Sequence, residues 1–226
     1  MDNYAIYYGL TAIALIITLS AQWFVNHNYK KFLKVNNSKG LKGVDVARKI
    51  LDMNGLNNVP VVEVSGFLSD HYDPSKKIVR LSGDIYNRDT ISSVAVAAHE
   101  CGHAIQDKEG YFFMKIRSVI APFASISSYA GYIAILIGCI FGLLDLVLLG
   151  IALELVILLF QLVTLPVEFN ASHRALKILN DDHLIDEVEV KGCRKVLKAA
   201  ALTYVAGVAS TVLEILRLVL MFARRD

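Results

Sequence analysis

Charged residues are missing from long stretches of the chain. Tyr4–Val25 runs 22 residues without one and Ser118–Leu144 runs 27, while Leu146–Val167 is broken only by Glu154 and Ala199–Ala223 only by Glu214 and Arg217. A helix needs about 20 apolar residues to cross the ~30 Å hydrocarbon core of a bilayer. The first three stretches therefore predict transmembrane helices over 4–25, 118–144 and 146–167. The stretch 199–223 either spans as well or packs as a buried helix. Two polar stretches remain, 26–117 and 168–198. Within the first, Val46, Ile50 and Met53 have helical spacing over Gly43–Asn54, with Asn54-Gly55 as a C-terminal stop. Val59–Val64 and Lys76–Leu81 read as two strands of a hairpin around the turn-forming Asp70–Ser75. Asp89-Thr90 offers an N-cap to an alanine-rich, proline-free helix over Ile91–Asp107.

Composition sharpens this picture. Apolar residues make up 55% of the 226-residue chain, above the roughly 45–50% of soluble domains, and disorder is excluded as the main state. A net charge of +2 argues against a nucleic-acid partner, which needs a basic stripe. Cys101, Cys139 and Cys193 are too few and too scattered for a disulfide framework. The opening Met1-Asp2-Asn3 lacks the basic start of a cleaved signal. Basic residues instead follow the first span, at Lys30, Lys31, Lys34, Lys39, Lys42, Arg48 and Lys49. The positive-inside rule then places the N-terminus outside and both polar stretches at the cytoplasmic face of a multi-pass cell-membrane protein. Arg224 and Arg225 run against this scheme if the last stretch spans. Inside the apolar stretches, Arg217 has two candidate partners, Glu154 on another helix and Glu214 three residues away.

The Ile91–Asp107 helix carries His99-Glu100-Cys101-Gly102-His103, the pattern H-E-x-x-H. Histidines at i and i+4 share a helix face, so both can reach one Zn²⁺ at about 2.0–2.1 Å. Glu100 beside them can take a proton from a water at the metal. Cys101 points to a different face and reads as a small structural residue. Ala97, Ala98, Gly102 and Ala104 keep the surroundings small enough for another helix to approach.

A catalytic zinc wants a third protein ligand and one open position. No further H-x-x-G-x-x-H follows, since His103 is succeeded by Ala104, Ile105, Gln106 and Asp107. Glu168 is the candidate, in Leu165-Pro166-Val167-Glu168-Phe169-Asn170-Ala171-Ser172. It emerges at the same membrane face as the first polar stretch. If the helix continues past Pro166, Glu168 shares a face with Ala171, Ser172 and Ala175.

Three segments carry a family resemblance: Gly66-Phe67-Leu68-Ser69-Asp70-His71-Tyr72-Asp73-Pro74 with the strand after it, Val96–Gln106, and Phe160–Ser172. The chain resembles the YugP-like neutral zinc metallopeptidases of bacterial membranes over nearly its whole length. It is more distantly similar to the HtpX-type membrane proteases, which pair H-E-x-x-H with a glutamate followed four residues later by aspartate. Glu168 matches that glutamate, whereas Ser172 stands in place of the aspartate that would orient a ligating histidine.

These readings predict a mainly α integral membrane protein. It has three to four transmembrane helices and a small cytoplasmic α+β, zincin-like catalytic domain built from 26–117 and the third-ligand segment 168–198. The expected activity is that of a zinc endopeptidase of the H-E-x-x-H…E, gluzincin-like kind, acting on proteins or peptides. Its ligands are His99, His103 and Glu168, and Glu100 is the base. His71, Tyr72, His173 and Arg174 are candidates for stabilising a developing oxyanion. The Lys76–Leu81 strand is a candidate edge for pairing with an extended substrate. The competing reading is a membrane scaffold with a structural or vestigial zinc site, in which Glu100 would have no task.

Overall fold

The computed structural model describes residues 3–222; Arg224 and Arg225 lie outside the described residues. Helices dominate. Four of them, α1 (Asn3–Phe32), α5 (Phe112–Phe141), α6 (Leu144–Asp181) and α7 (Glu187–Phe222), are long and apolar enough to cross a membrane. Residues 199–222 of the last apolar stretch are thus part of a fourth helix able to span. Between α1 and α5 come α2 (Gly43–Met53), β1 (Val61–Val64), β2 (His71–Asp73), β3 (Ile78–Ser82), α3 (Gly83–Asn87) and α4 (Ile91–Lys108).

The chain divides into two units. One comprises Met1–Gln22, Lys115–Leu165 and Thr203–Asp226, and the other Trp23–Met114 and Pro166–Leu202. In the first, α5 and α6 meet at glycines: a Cβ on Gly131 would lie 3.2 Å from Leu153 Cβ, and one on Gly150 would lie 3.2 Å from the Gly131 carbonyl oxygen. Small residues let helix backbones approach where lipid removes the hydrophobic drive between helices. The Tyr7 hydroxyl donates to the Leu220 carbonyl at 3.1 Å, and Thr18 and Ser210 hydroxyls pair at 2.9 Å, joining α1 to α7. Arg217 pairs with Glu214 on its own helix, Nε donating to Oε2 at 3.0 Å, so the neighbour one turn away wins over Glu154.

The second unit is built around α4. Thr90 caps it, Oγ1 accepting from Ser93 N at 3.2 Å, and fourteen of its eighteen residues are buried. Val46, Ile50 and Leu51 of α2, Leu81 of β3 and Leu179 of α6 share its core.

The sheet corrects the hairpin expectation. Its order is β1-β3-β2, with β1 parallel to β3 (Val61↔Val79, Val64↔Ser82) and β2 antiparallel to β3 (His71↔Arg80, Asp73↔Ile78). The chain reverses twice between β1 and β3. The first reversal uses positive φ at Gly66 and Leu68; the second is an Asx turn in which Asp73 Oδ1 accepts from Ser75 N and Lys76 N. Two reversals restore the original direction, so β1 and β3 run parallel. The segment read as turn at 70–75 hides the three-residue strand β2. The candidate substrate edge at Lys76–Leu81 is overturned with it: β3 is the central strand, bonded on both sides, and β1 and β2 are the edges.

Candidate metal centre

The spacing of His99 and His103 places both imidazoles on one side of α4, with ring centroids 4.7 Å apart and planes nearly perpendicular at 81°. Opposite them runs α6. It continues through Pro166, so Val167, Ala171 and Ala175 form a buried face, and Glu168 is 3% exposed beside it. Close approach depends on Gly102, where a Cβ would lie 2.8 Å from the Ala171 carbonyl oxygen and 3.2 Å from its Cα.

This contact carries Glu168 to the histidines. Its Oε2 lies 3.3 Å from His99 Nε2 and 3.6 Å from His103 Nε2. The three residues form a group whose donor atoms all fall within 4.8 Å of one another, and it is the group of this kind among the described residues. Tetrahedral zinc with bonds near 2.0–2.1 Å keeps its ligand atoms about 3.3 Å apart. The spacing and the donor set, two imidazoles and one carboxylate, therefore fit that ion.

The outward ring nitrogens are engaged. His103 Nδ1 lies 3.0 Å from Gln106 Oε1. An amide oxygen only accepts, so Nδ1 donates to it and Nε2 is the ring nitrogen turned inward to Glu168. Gln106 is fully buried and fixed by its own amide, which donates to the Val167 carbonyl at 2.8 Å and to Asn170 Oδ1 at 2.9 Å. His99 Nδ1 meets the Ser172 hydroxyl at 3.2 Å, so the serine stands where an orienting group is needed.

Electrostatics follow the packing. Burial opposes the Glu168 charge, but hydrogen bonds from His103 and His99 and their charges override it and hold the carboxyl well below the usual range. Burial pulls the His103 imidazole down, but the bond to Glu168 and the nearby Glu100 charge outweigh this and push it up.

Glu100 is 7% exposed, and its Oε2 accepts from the Tyr72 backbone N–H of β2 at 2.8 Å. The edge strand thus anchors the carboxylate next to the histidines. The Tyr72 hydroxyl is committed elsewhere, donating to Asp107 Oδ2 at 2.6 Å, and burial pushes this phenol above its ordinary range. His71 is exposed on β2, with Nδ1 2.8 Å from the Ser69 carbonyl oxygen. Arg174 is held by Glu109 at 2.7 Å and by Asn170 Oδ1 at 2.7 Å, and His173 is exposed on α6. Cys101 is buried away from the group with its thiol directed at the Ala47 carbonyl, and burial pushes the thiol up. Sequence reasoning missed Gln106, Asn170 and the Tyr72 amide. Gln106 was detectable, since it sits at i+3 from His103 on the same helix face.

With this geometry in place, similarity decides the family. Residues 7–223 match the family described as "Putative neutral zinc metallopeptidase". The chain belongs to that family. A Bacillus subtilis (strain 168) protein named "Putative membrane protease YugP" is 46% identical over 213 residues, covering 94% of this chain and 95% of that protein. No solved structure matches the chain. Membership of a zinc metallopeptidase family agrees with a donor set suited to zinc, and the relative's membrane-protease name agrees with four helices able to span.

Proposed function

We propose that this protein is a membrane-embedded zinc endopeptidase of the H-E-x-x-H…E, gluzincin-like kind. It hydrolyses protein or peptide substrates at the cytoplasmic membrane face, in membrane-protein quality control. The observation that carries the reading is the convergence of Glu168 on the two histidines beside Glu100. His99, His103 and Glu168 would hold the ion through Nε2, Nε2 and a carboxylate oxygen. Bound there, zinc supplies Lewis acidity, making water acidic near neutral pH and polarising a peptide carbonyl.

The remaining steps belong to the chain. Gln106 and Ser172 hold the imidazoles in the tautomer whose Nε2 faces inward. Tyr72 N–H fixes one oxygen of Glu100 and leaves Oε1 to accept a proton from the attacking water. Glu100 then returns that proton to the departing amide nitrogen. His71 lies one residue from the amide that anchors Glu100, which favours it as the donor to a developing oxyanion. Arg174, occupied by Glu109 and Asn170, contributes by holding that network in place.

The test is metal analysis of the purified protein with a casein-type cleavage assay and Glu100→Gln as control. The variant should keep wild-type zinc content and lose hydrolysis by about 10²–10⁴-fold, the scale of a general base. Wild-type turnover by Glu100→Gln would remove this mechanism, and absence of zinc from active protein would remove the site.

A further inference from the structure

The zinc chemistry does not use the face where α1 leaves its apolar stretch. Trp23 is 65% exposed and stacks on His27, with centroids 5.1 Å apart and planes at 25°. These two, with Asn26, Lys30, Lys31 and Lys34, line an open cleft of about 630 Å³. The lining holds three ammonium groups and no carboxylate.

Beside it stands the loop between β1 and β2. Positive φ at Gly66 and Leu68, with the Ser69 hydroxyl donating to the Gly66 carbonyl at 3.0 Å, closes the loop tightly and turns two apolar side chains outward. Phe67 is 52% exposed and Leu68 37%. The Phe67 ring packs edge-on against Tyr29 at 5.1 Å, and the Lys30 ammonium lies 5.6 Å above it. An exposed tryptophan and three lysines thus lie within about three turns of one helix, with Phe67 packed against it and Leu68 next to Phe67 in the loop. That helix is charge-free from Tyr4 to Val25.

We propose that the Gly66–Ser69 loop and the Trp23–Lys34 face of α1 form one seat for a bilayer surface carrying anionic headgroups. Phe67 and Leu68 enter the boundary between headgroups and acyl chains, where Trp23 also sits. Lys30, Lys31 and Lys34 pair with lipid phosphates while their methylene stems lie along the apolar surface. The occupant follows from continuity, because the lysines are on the helix whose preceding residues are long and apolar enough to span. The consequence reaches the catalytic residues through covalent connection: the loop leads directly into β2, whose Tyr72 amide holds Glu100. Seating the loop on lipid fixes the edge strand at the membrane surface, where a chain emerging from the bilayer would be met.

The inference rests on reading α1 as a membrane span, and Trp23, the chain's one tryptophan, separates the two ideas. The full-length protein is reconstituted in vesicles of phosphatidylcholine and phosphatidylglycerol brominated near the headgroup end of the acyl chains. Emission of the unaltered chain reports Trp23. Phe67→Trp and Leu68→Trp, each made with Trp23→Phe, report the loop, and two positions guard against one variant misfolding. The expected result is loss of loop-tryptophan emission to brominated lipid, comparable to that of Trp23, with shielding from aqueous iodide. The loss should shrink in phosphatidylcholine alone and in the triple variant Lys30→Gln, Lys31→Gln, Lys34→Gln. If Trp23 is insensitive to lipid, the span reading fails. Should Trp23 respond while the loop stays lipid-insensitive, the seat is overturned, whether iodide reaches the loop or a protein surface shields it from both. Equal quenching with and without phosphatidylglycerol would overturn the anionic assignment.

Discussion

A methyl group on Gly102 would press against the backbone of Ala171, 2.8 Å from its carbonyl oxygen. The glycine that permits this crossing therefore lies inside the H-E-x-x-H pattern itself. Glycine in a helix interior normally loses about 1 kcal/mol against alanine, so an unconstrained Gly102→Ala would stabilise. Forcing a methyl into a packed contact costs about 1–3 kcal/mol, and the obstacle here is backbone, which cannot rotate away. Gly102→Ala is expected to lower the melting temperature and weaken zinc binding on the order of tenfold, because α6 carries Glu168 outward with it. Competition against a chelator dye measures the affinity. An unchanged value would mean the α4–α6 crossing does not set the site.

Gln106 separates orientation from ligation. Gln106→Leu removes the acceptor on His103 Nδ1 and leaves the Val167 carbonyl without its extra donor, so zinc affinity should fall about 10–100-fold. Gln106→Glu keeps an acceptor for the imidazole but, when ionised, cannot donate to Val167 or Asn170. It should bind zinc better than the leucine variant while melting at a lower temperature than wild type. Chelator competition and thermal melts read the two effects separately. Leucine and glutamate variants equal in affinity would reduce Gln106 to a packing residue.

The convergence of the candidate metal ligands was legible because its chemistry is periodic. His99 and His103 share a face by helix geometry, and Glu168 comes within reach once α6 is allowed to run through Pro166, with Ala171 and Ala175 marking the face that packs. The sheet was not legible. β2 has three residues, too few to show alternation, and its neighbours Asp70 and Pro74 carry strong turn signals that mask it. A one-strand error of this kind moved the free edge from β3 to β2, where the Tyr72 amide meets Glu100. Backbone amides have no residue-type signature, so nothing in the sequence pointed to that bond. Arg217 was ambiguous for a different reason: both glutamates were at compatible depths, and only proximity along one helix turn favoured Glu214.

Arg174 offers a direct comparison between a positioning role and a transition-state donor. Its guanidinium is occupied by Glu109 and Asn170, and Asn170 in turn accepts from Gln106. Arg174→Met is therefore expected to lower kcat/KM by less than about tenfold, short of the 10²–10³ that follows loss of an oxyanion donor. The melting temperature should fall as the network loosens. Steady-state kinetics on the zinc-loaded protein decide it: a hundredfold loss in kcat at unchanged melting temperature would return Arg174 to the reacting atoms.

The metal-free protein should have a stability optimum in weak acid. Glu168 sits below its ordinary range in the folded chain, so its contribution is present above the unfolded carboxyl value and is lost as pH falls through the folded one. His103 sits above its ordinary range, so its contribution is full below the unfolded imidazole value and is lost as pH rises through the folded one. Both shifts describe the same contact seen from its two partners. They overlap between about pH 4.3 and 6.5, the ordinary glutamate and histidine values. Melting temperatures of EDTA-treated protein should peak in that window and decline towards alkaline pH. Glu168→Gln should flatten the profile, since an amide gives the imidazoles no charge to hold. Zinc requires both imidazoles deprotonated, so adding it should release protons, tighten as pH rises and move the optimum to neutral pH. A metal-free profile unchanged by Glu168→Gln would show that the carboxylate does not face the two histidines in solution.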